Sequence, residues 1–270
     1  MVGGAHIILP PLSETLSIPK TSQTWVSSVL TLAAGASLLP LGRLADMYGG
    51  YVVFNAGMAW CCIWSLAAGF TNDYIAFILC RAMQGLGASA ILATGIMLLG
   101  GVYRPGPRKN FVFAMYGAIA PAGFFFGMLM GGVSAEKLTW RWFFWIGSMV
   151  LFVSTMISLF SIPRDWSSVR AMGVKMDWWG LGTICPGLIL LVFSITQSSG
   201  APNGWATPYI IVSMIMGLVF LGAGMYVQAR VSEDPFLPLE IFEPKYMKGM
   251  LTCMFLAYGT FGVFLYYSNF

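Results

Sequence analysis

The stretch "ILCRAMQGLGASAIL", Ile78 to Leu92, sets one arginine, one glutamine and two glycines inside an otherwise apolar run. A lipid-facing arginine there would be a defect, and a buried one needs a partner or a task. At the centre of a span an arginine costs about 2.5–3.5 kcal/mol on insertion scales. At about 100° per residue, Gln84, Gly85, Ala88, Leu92 and Gly95 share the Arg81 face of a helix. Small and polar faces pack against other helices, whereas lipid-facing stripes are bulky. Arg81 is therefore expected to point into a helical bundle or a wet cavity. Two roles stay open for it. One is a structural hydrogen bonder to neighbouring carbonyls; the other is a charge that biases a proton site or an anionic ligand.

Composition supports the membrane reading. Of 270 residues, 58% are apolar and only 9% charged, and the mean hydropathy is +0.78. Soluble domains carry about a quarter charged residues, so repeated apolar spans explain this chain better than one large core. A net charge of +4 is too small and dispersed for a nucleic-acid partner. Cys61, Cys62, Cys80, Cys185 and Cys253 all fall in apolar runs, with no C-x-x-C spacing, and read as small hydrophobes. His6 is the single histidine. No metal, cofactor or catalytic triad is expected, and the chain does not read as an enzyme. Its first residues do not read as a secretory signal peptide.

Eight apolar runs, 25–42, 52–70, 74–101, 111–133, 142–162, 178–198, 208–228 and 249–268, are each long enough to cross about 30 Å of hydrocarbon as a helix. Helices are required because lipid offers the backbone no hydrogen-bond partners. Residues 1–12 resemble the last turns of a further span. The expectation is an all-α polytopic membrane protein with eight complete spans and a remnant of a first one. Residues 1–162 form an N-terminal bundle, 163–177 a cytoplasmic linker and 178–228 two linking spans. Residues 229–270 form a loop and the first span of a second bundle.

The basic residues orient this array. Arg43, Arg104, Arg108, Lys109, Arg164, Arg170, Lys175, Arg230, Lys245 and Lys248 fall on one set of alternate loops. Lys20, Lys137 and Arg141 fall on the other. Short loops rich in Lys and Arg stay cytoplasmic, so the first set faces in. Tryptophans such as Trp25, Trp140, Trp178 and Trp205 stand near the predicted water boundaries, where they anchor spans.

Two further stretches carry chemistry. In "GRLADMYGG", Gly42 to Gly50, Gly42 permits close helix approach, Asp46 supplies an anion and Gly49 allows a turn. Asp46 either caps a helix or pairs with Arg104, Arg108 or Lys109, unless the stretch is an ordinary solvated loop. In "YGAIAPAGFFFGMLMGG", Tyr116 to Gly132, Gly123, Gly127 and Gly131 recur every four residues. That spacing lets two helices touch, and Pro121 is expected to kink the span.

Together and in this order, these elements resemble the major facilitator superfamily. "GRLADMYG" is similar to its G-x-L-A-D-x-x-G loop, and "ILCRAMQGLGA" to its L-x-x-x-R-x-x-Q-G-x-G-A motif. "YGAIAPAGFFFG" and "TWRWFFWIG" are similar to the fungal fourteen-span drug:proton antiporter branch, linked to aminotriazole and toxin efflux. The resemblance implies proton coupling for Arg81 and Gln84, and a cytoplasmic gate at Gly42, Arg43, Asp46 and Gly49. It implies helix packing or hinge roles for Gly85, Gly117, Pro121, Gly123, Gly127 and Gly131. Met47, Gly50 and Tyr51 stand where the family loop usually continues with basic residues, which leaves Arg43 and Asp46 as the gate's remnant. "SIPRDW" lacks the P-E-S-P-R pattern of sugar porters. Against the family's two-halved plan the chain looks truncated.

The expected function is proton-coupled efflux of small amphipathic molecules by alternating access, in the plasma membrane. The partners are the lipid bilayer, the substrate and protons. The alternatives are a non-transporting membrane protein and a nutrient or sugar porter of the same fold. Substrate identity and oligomeric state are not legible in the residues.

Overall fold

The computed structural model describes residues 2–162, 174–198, 200–232, 234–236 and 243–268. Among these, ten α-helices follow one another: α1 (Val2–Ile7), α2 (Leu9–Thr15), α3 (Lys20–Tyr48), α4 (Gly50–Phe70), α5 (Tyr74–Val102), α6 (Pro107–Lys137), α7 (Trp140–Ser161), α8 (Trp178–Ser198), α9 (Pro208–Arg230) and α10 (Met247–Ser268). Seven of them, α3 to α9, are long and apolar enough to cross a membrane. The eighth expected run is also helical, as α10, but is not among these seven. Most of the expected linker, 163–173, lies outside the described residues, as do Arg164 and Arg170.

Lipid tails are as apolar as leucine, so packing in a bilayer rests on close approach rather than on the hydrophobic effect. The α3–α4–α5 group shows this directly. A Cβ at Gly85 would stand 2.5 Å from the Leu30 carbonyl oxygen and 2.7 Å from Ala33 Cβ, so α5 touches α3 backbone to backbone. A Cβ at Gly57 would stand 2.7 Å from Ala90 Cβ, and one at Gly87 would stand 2.6 Å from Cys61 Sγ. Any larger residue at these points would push the helices apart.

The apolar runs 25–42 and 52–70 leave most of "GRLADMYGG" as a connection between spans. Instead α3 runs through it to Tyr48 and α4 begins at Gly50. Leu44, Ala45 and Met47 are good helix formers, and only Gly49, at φ 97° and ψ 139°, breaks the run. That backbone region is open essentially to glycine alone.

The two short N-terminal helices, α1 and α2, seal the bundle. Ile8, Leu12 and Leu16 are buried with Phe77, Trp140, Phe143 and Phe144. Phe77 meets Phe144 and Trp140 edge-on, at 5.3 and 5.8 Å between centroids.

Helices α8 and α9 form an antiparallel pair. Ser194 and Ser213 hydroxyls lie 3.0 Å apart between them. Asp177 accepts from the Gly180 N–H at 2.8 Å, capping α8, and from the Gln228 amide of α9. The pair docks on α3 by a backbone device. Pro40 lies inside α3 and has no N–H for the Ala36 carbonyl one turn back. The Cys185 thiol of α8 donates to that carbonyl instead, at 3.1 Å.

Candidate functional site

Arg81 lies two turns into α5, whose first turn is capped by Asp73 accepting from the Ala76 N–H at 3.2 Å. At about 1.5 Å per residue this sets the Arg81 backbone some 10 Å inside the helix end. Its side chain is fully buried, at 0% exposure, and Gln84 is at 1%. Nη1 donates to Gln84 Oε1 at 3.0 Å. Gln84 in turn donates to the Trp64 carbonyl of α4 at 3.2 Å. Nε and Nη2 have no hydrogen-bond partner. The Phe144 ring of α7 stands 5.9 Å from Cζ, at the outer range of a cation–π contact.

The described residues place no carboxylate against this charge; their one ion pair is Arg43–Asp234. A buried cation with two free donor groups is an unbalanced charge in a low-dielectric site. Chemically, it can hold an anion or disfavour protonation of a neighbouring base. His6, on α1, stands within electrostatic reach of it. A lone histidine builds neither a metal site nor a triad, so the sequence by itself gives His6 no role. Its available signal was chemical: histidine is the side chain whose unperturbed titration falls near neutral pH.

The expected gate residues gather at the other end of the bundle. Arg43 Nε donates to the Lys175 carbonyl at 2.9 Å and Nη2 to the Asp234 carbonyl at 3.1 Å. Its Nη2 lies 3.7 Å from the Asp234 carboxylate. Asp46 sits inside α3, three residues on, so it caps no helix N-terminus. Among the described residues it forms no ion pair with Arg104, Arg108 or Lys109; Lys109 donates to the Gly100 carbonyl at 2.9 Å. A Cβ at Gly42 would make ordinary contact with Ala93, at 3.7 Å.

The glycines of α6 divide. A Cβ at Gly131 would stand 2.8 Å from Gly4 Cα, and the Gly127 carbonyl closes on Gly4 from the same side. Gly117 and Gly123 face open space. Pro121 is exposed, and α6 is assigned as helix through it. Gly85 belongs instead to the tight α3–α5 contact beside Gln84.

Comparison with known proteins identifies the family of the chain. The family model described as Major Facilitator Superfamily matches residues 2–269. A low affinity ammonium transporter of Saccharomyces cerevisiae is 35% identical over 253 residues, which is 91% of this chain and 48% of that protein. Efflux pump terJ of Aspergillus terreus is 32% identical over 275 residues, 99% of this chain and 52% of the pump. An aminotriazole resistance protein of Saccharomyces cerevisiae is 33% identical over 269 residues, covering 96% and 48%. The chain thus spans about half the length of the curated relatives it matches. With seven apolar helices of crossing length and a family match along almost its whole length, this integral, multi-pass membrane protein belongs to the Major Facilitator Superfamily.

Proposed function

We propose that the chain serves in proton-coupled efflux of small amphipathic molecules by alternating access, at the plasma membrane. The observation that carries this reading is the Arg81–Gln84 pair: a fully buried guanidinium with Nε and Nη2 unpaired. A merely structural arginine would spend its donors on neighbouring carbonyls, because each unpaired group costs about 1–3 kcal/mol. An unspent, uncompensated cation is a device for setting the protonation of a nearby group or for meeting a transient anion. In this reading Arg43, Asp46, Gly42 and Gly49 act at the cytoplasmic gate, and the α6 glycines with Pro121 let helices slide or bend. The relatives named as an efflux pump and an aminotriazole resistance protein support export.

The relative named as an ammonium transporter supports a second reading, movement of a small cation. Arg81 weighs against it, since a buried positive charge repels a cation in its neighbourhood. The test is reconstitution of the protein into liposomes that hold a pH gradient. Movement of an amphipathic dye with the gradient, lost in Arg81→Gln, is expected. Equal dye movement in the variant overturns the role of Arg81; gradient-independent ammonium uptake in its place favours the second reading.

A further inference from the structure

Along α3, residues Ala33, Pro40 and Tyr48 line one side of a groove of about 880 Å³. Ala56 and Trp60 of α4, with Met83 and Leu86 of α5, form its floor. Leu181, Cys185 and Ile189 of α8, spaced four residues apart, form its far wall. Such a volume is typical of a ligand pocket. Ala56, Trp60 and Leu86 remain exposed in it, so it opens to one side.

The lining offers almost only carbon, because the polar atoms of Ser37, Trp60 and Cys185 are spent elsewhere. Ser37 Oγ pairs with Ser89 Oγ at 2.8 Å. Trp60 Nε1 donates to the Met83 carbonyl at 2.9 Å, and the Cys185 thiol to Ala36. The groove is also separate from the Arg81 site. At about 100° per residue, Met83, Leu86 and Ala90 lie on the face of α5 roughly opposite Arg81.

At Met176 the groove meets a second cavity of about 270 Å³, lined by Lys175, Asp177, Trp178, Trp179 and Asp234. Here the chemistry changes from apolar to ionic. Asp177 is held by Gly180 and Gln228, and Asp234 lies beside Arg43. The Lys175 ammonium is exposed and forms no ion pair among the described residues. Asp177 is buried and Asp234 is paired, so the exposed charge without an ion-pair partner at this mouth is the Lys175 ammonium, with both carboxylates still close by. Trp178 and Trp179, 71% and 70% exposed, stand beside it as headgroup-level aromatics do.

Depth supplies the remaining constraint. From Ala33 to Tyr48 the groove follows α3 for about 22 Å at 1.5 Å per residue. Half of a bilayer with its headgroups is about 20–22 Å. The groove begins at the end of α3 that carries Arg43 and stops near mid-membrane.

We propose that the groove and its polar mouth form a binding site for one phospholipid of the leaflet on the basic-loop side. One of its two acyl chains lies between α3, α4, α5 and α8, and its phosphate meets Lys175. Bulk lipid would wet a smooth helical face; four walls and a cation at headgroup depth select a single molecule. The site does not depend on what the protein moves.

Native mass spectrometry of the protein, taken from nanodiscs of equal phosphatidylcholine and phosphatidylglycerol into mild detergent, tests this. One phospholipid retained per chain is expected. Ala56→Trp, which fills the groove from an exposed position, should lower retention at least tenfold at unchanged helix content. Lys175→Gln, at an exposed site outside the helices, should lower it at least threefold and abolish any preference for phosphatidylglycerol. Absence of retained lipid in the parent protein, or equal retention in both variants, overturns the proposal. So does one-for-one displacement by an exported dye, which would make the groove a substrate site. Loss of dye transport with lipid retention intact would instead count only against the proposed function.

Discussion

A guanidinium at 0% exposure with one hydrogen bond to Gln84 is an expensive way to fill space. Removing an uncompensated buried charge relieves desolvation, whereas removing a structural bonder orphans its partners. These readings make opposite predictions for Arg81→Met. If the charge serves function, the melting temperature of the detergent-solubilised variant stays equal or rises while gradient-driven dye transport is lost. A fall of several degrees would show Arg81 to be structural. Arg81→Lys keeps the charge but not the planar donor fork, so it should insert normally and transport at a small fraction of the parent rate; full activity would reduce the role to charge alone. The burial of Arg81 and Gln84 was legible from periodicity because both lie where α5 meets α3, α4 and α7. Leu92 shares their computed face yet is 49% exposed. No pattern within one helix reports which of its positions a neighbouring helix covers.

At the scale of elements, spacing alone could not tell which glycine meets a helix and which meets open space. Gly123, Gly127 and Gly131 read as one contact stripe, but only the last two reach α1, while Gly85 carries the closest approach of α5 to α3. Gly85→Leu should therefore abolish the monodisperse peak in size-exclusion chromatography, and Gly123→Leu should leave it intact; similar profiles for the two would contradict the packing described. The Pro40–Ala36–Cys185 relation lay beyond sequence reading for a different reason. Pro40 announces a free carbonyl, but its donor is 149 residues away. A thiol is a weak donor, so Cys185→Ala should cost about 0.5–1 kcal/mol. Pro40→Ala restores the helix's own N–H to Ala36, and in that background the same substitution should cost close to nothing. A double-mutant cycle of thermal unfolding reads the coupling, and strictly additive costs would deny it.

Across the whole molecule, the hydropathy pattern foretold the helices well because lipid leaves the backbone a single solution. It misplaced the end of α3, since a hydrophilic "GRLADMY" continues a helix into the interface as readily as it forms a loop. It also did not disclose how the α8–α9 pair is held. Among the described residues, side-chain hydrogen bonds fasten that pair and its flanking segments to α3 at three places: Trp25 Nε1 to Gln197 at 2.7 Å at one end, Cys185 to Ala36 midway, and Arg43 to Lys175 and Asp234 at the other. The third is the exchangeable one. Its ion pair is partly solvated and worth little by itself, but its two carbonyl bonds tie segments on either side of the pair to a single side chain. Arg43→Ala should release both at once. Amide hydrogen exchange should quicken in residues 174–177 and 229–236 by at least several-fold, while α4 and α5, held by glycine contacts, stay as protected as before. Exchange that quickens throughout α4 and α5 would mean that Arg43 supports the bundle itself. Unchanged exchange in both segments would mean that the helices, and not this side chain, fix the α8–α9 pair in place.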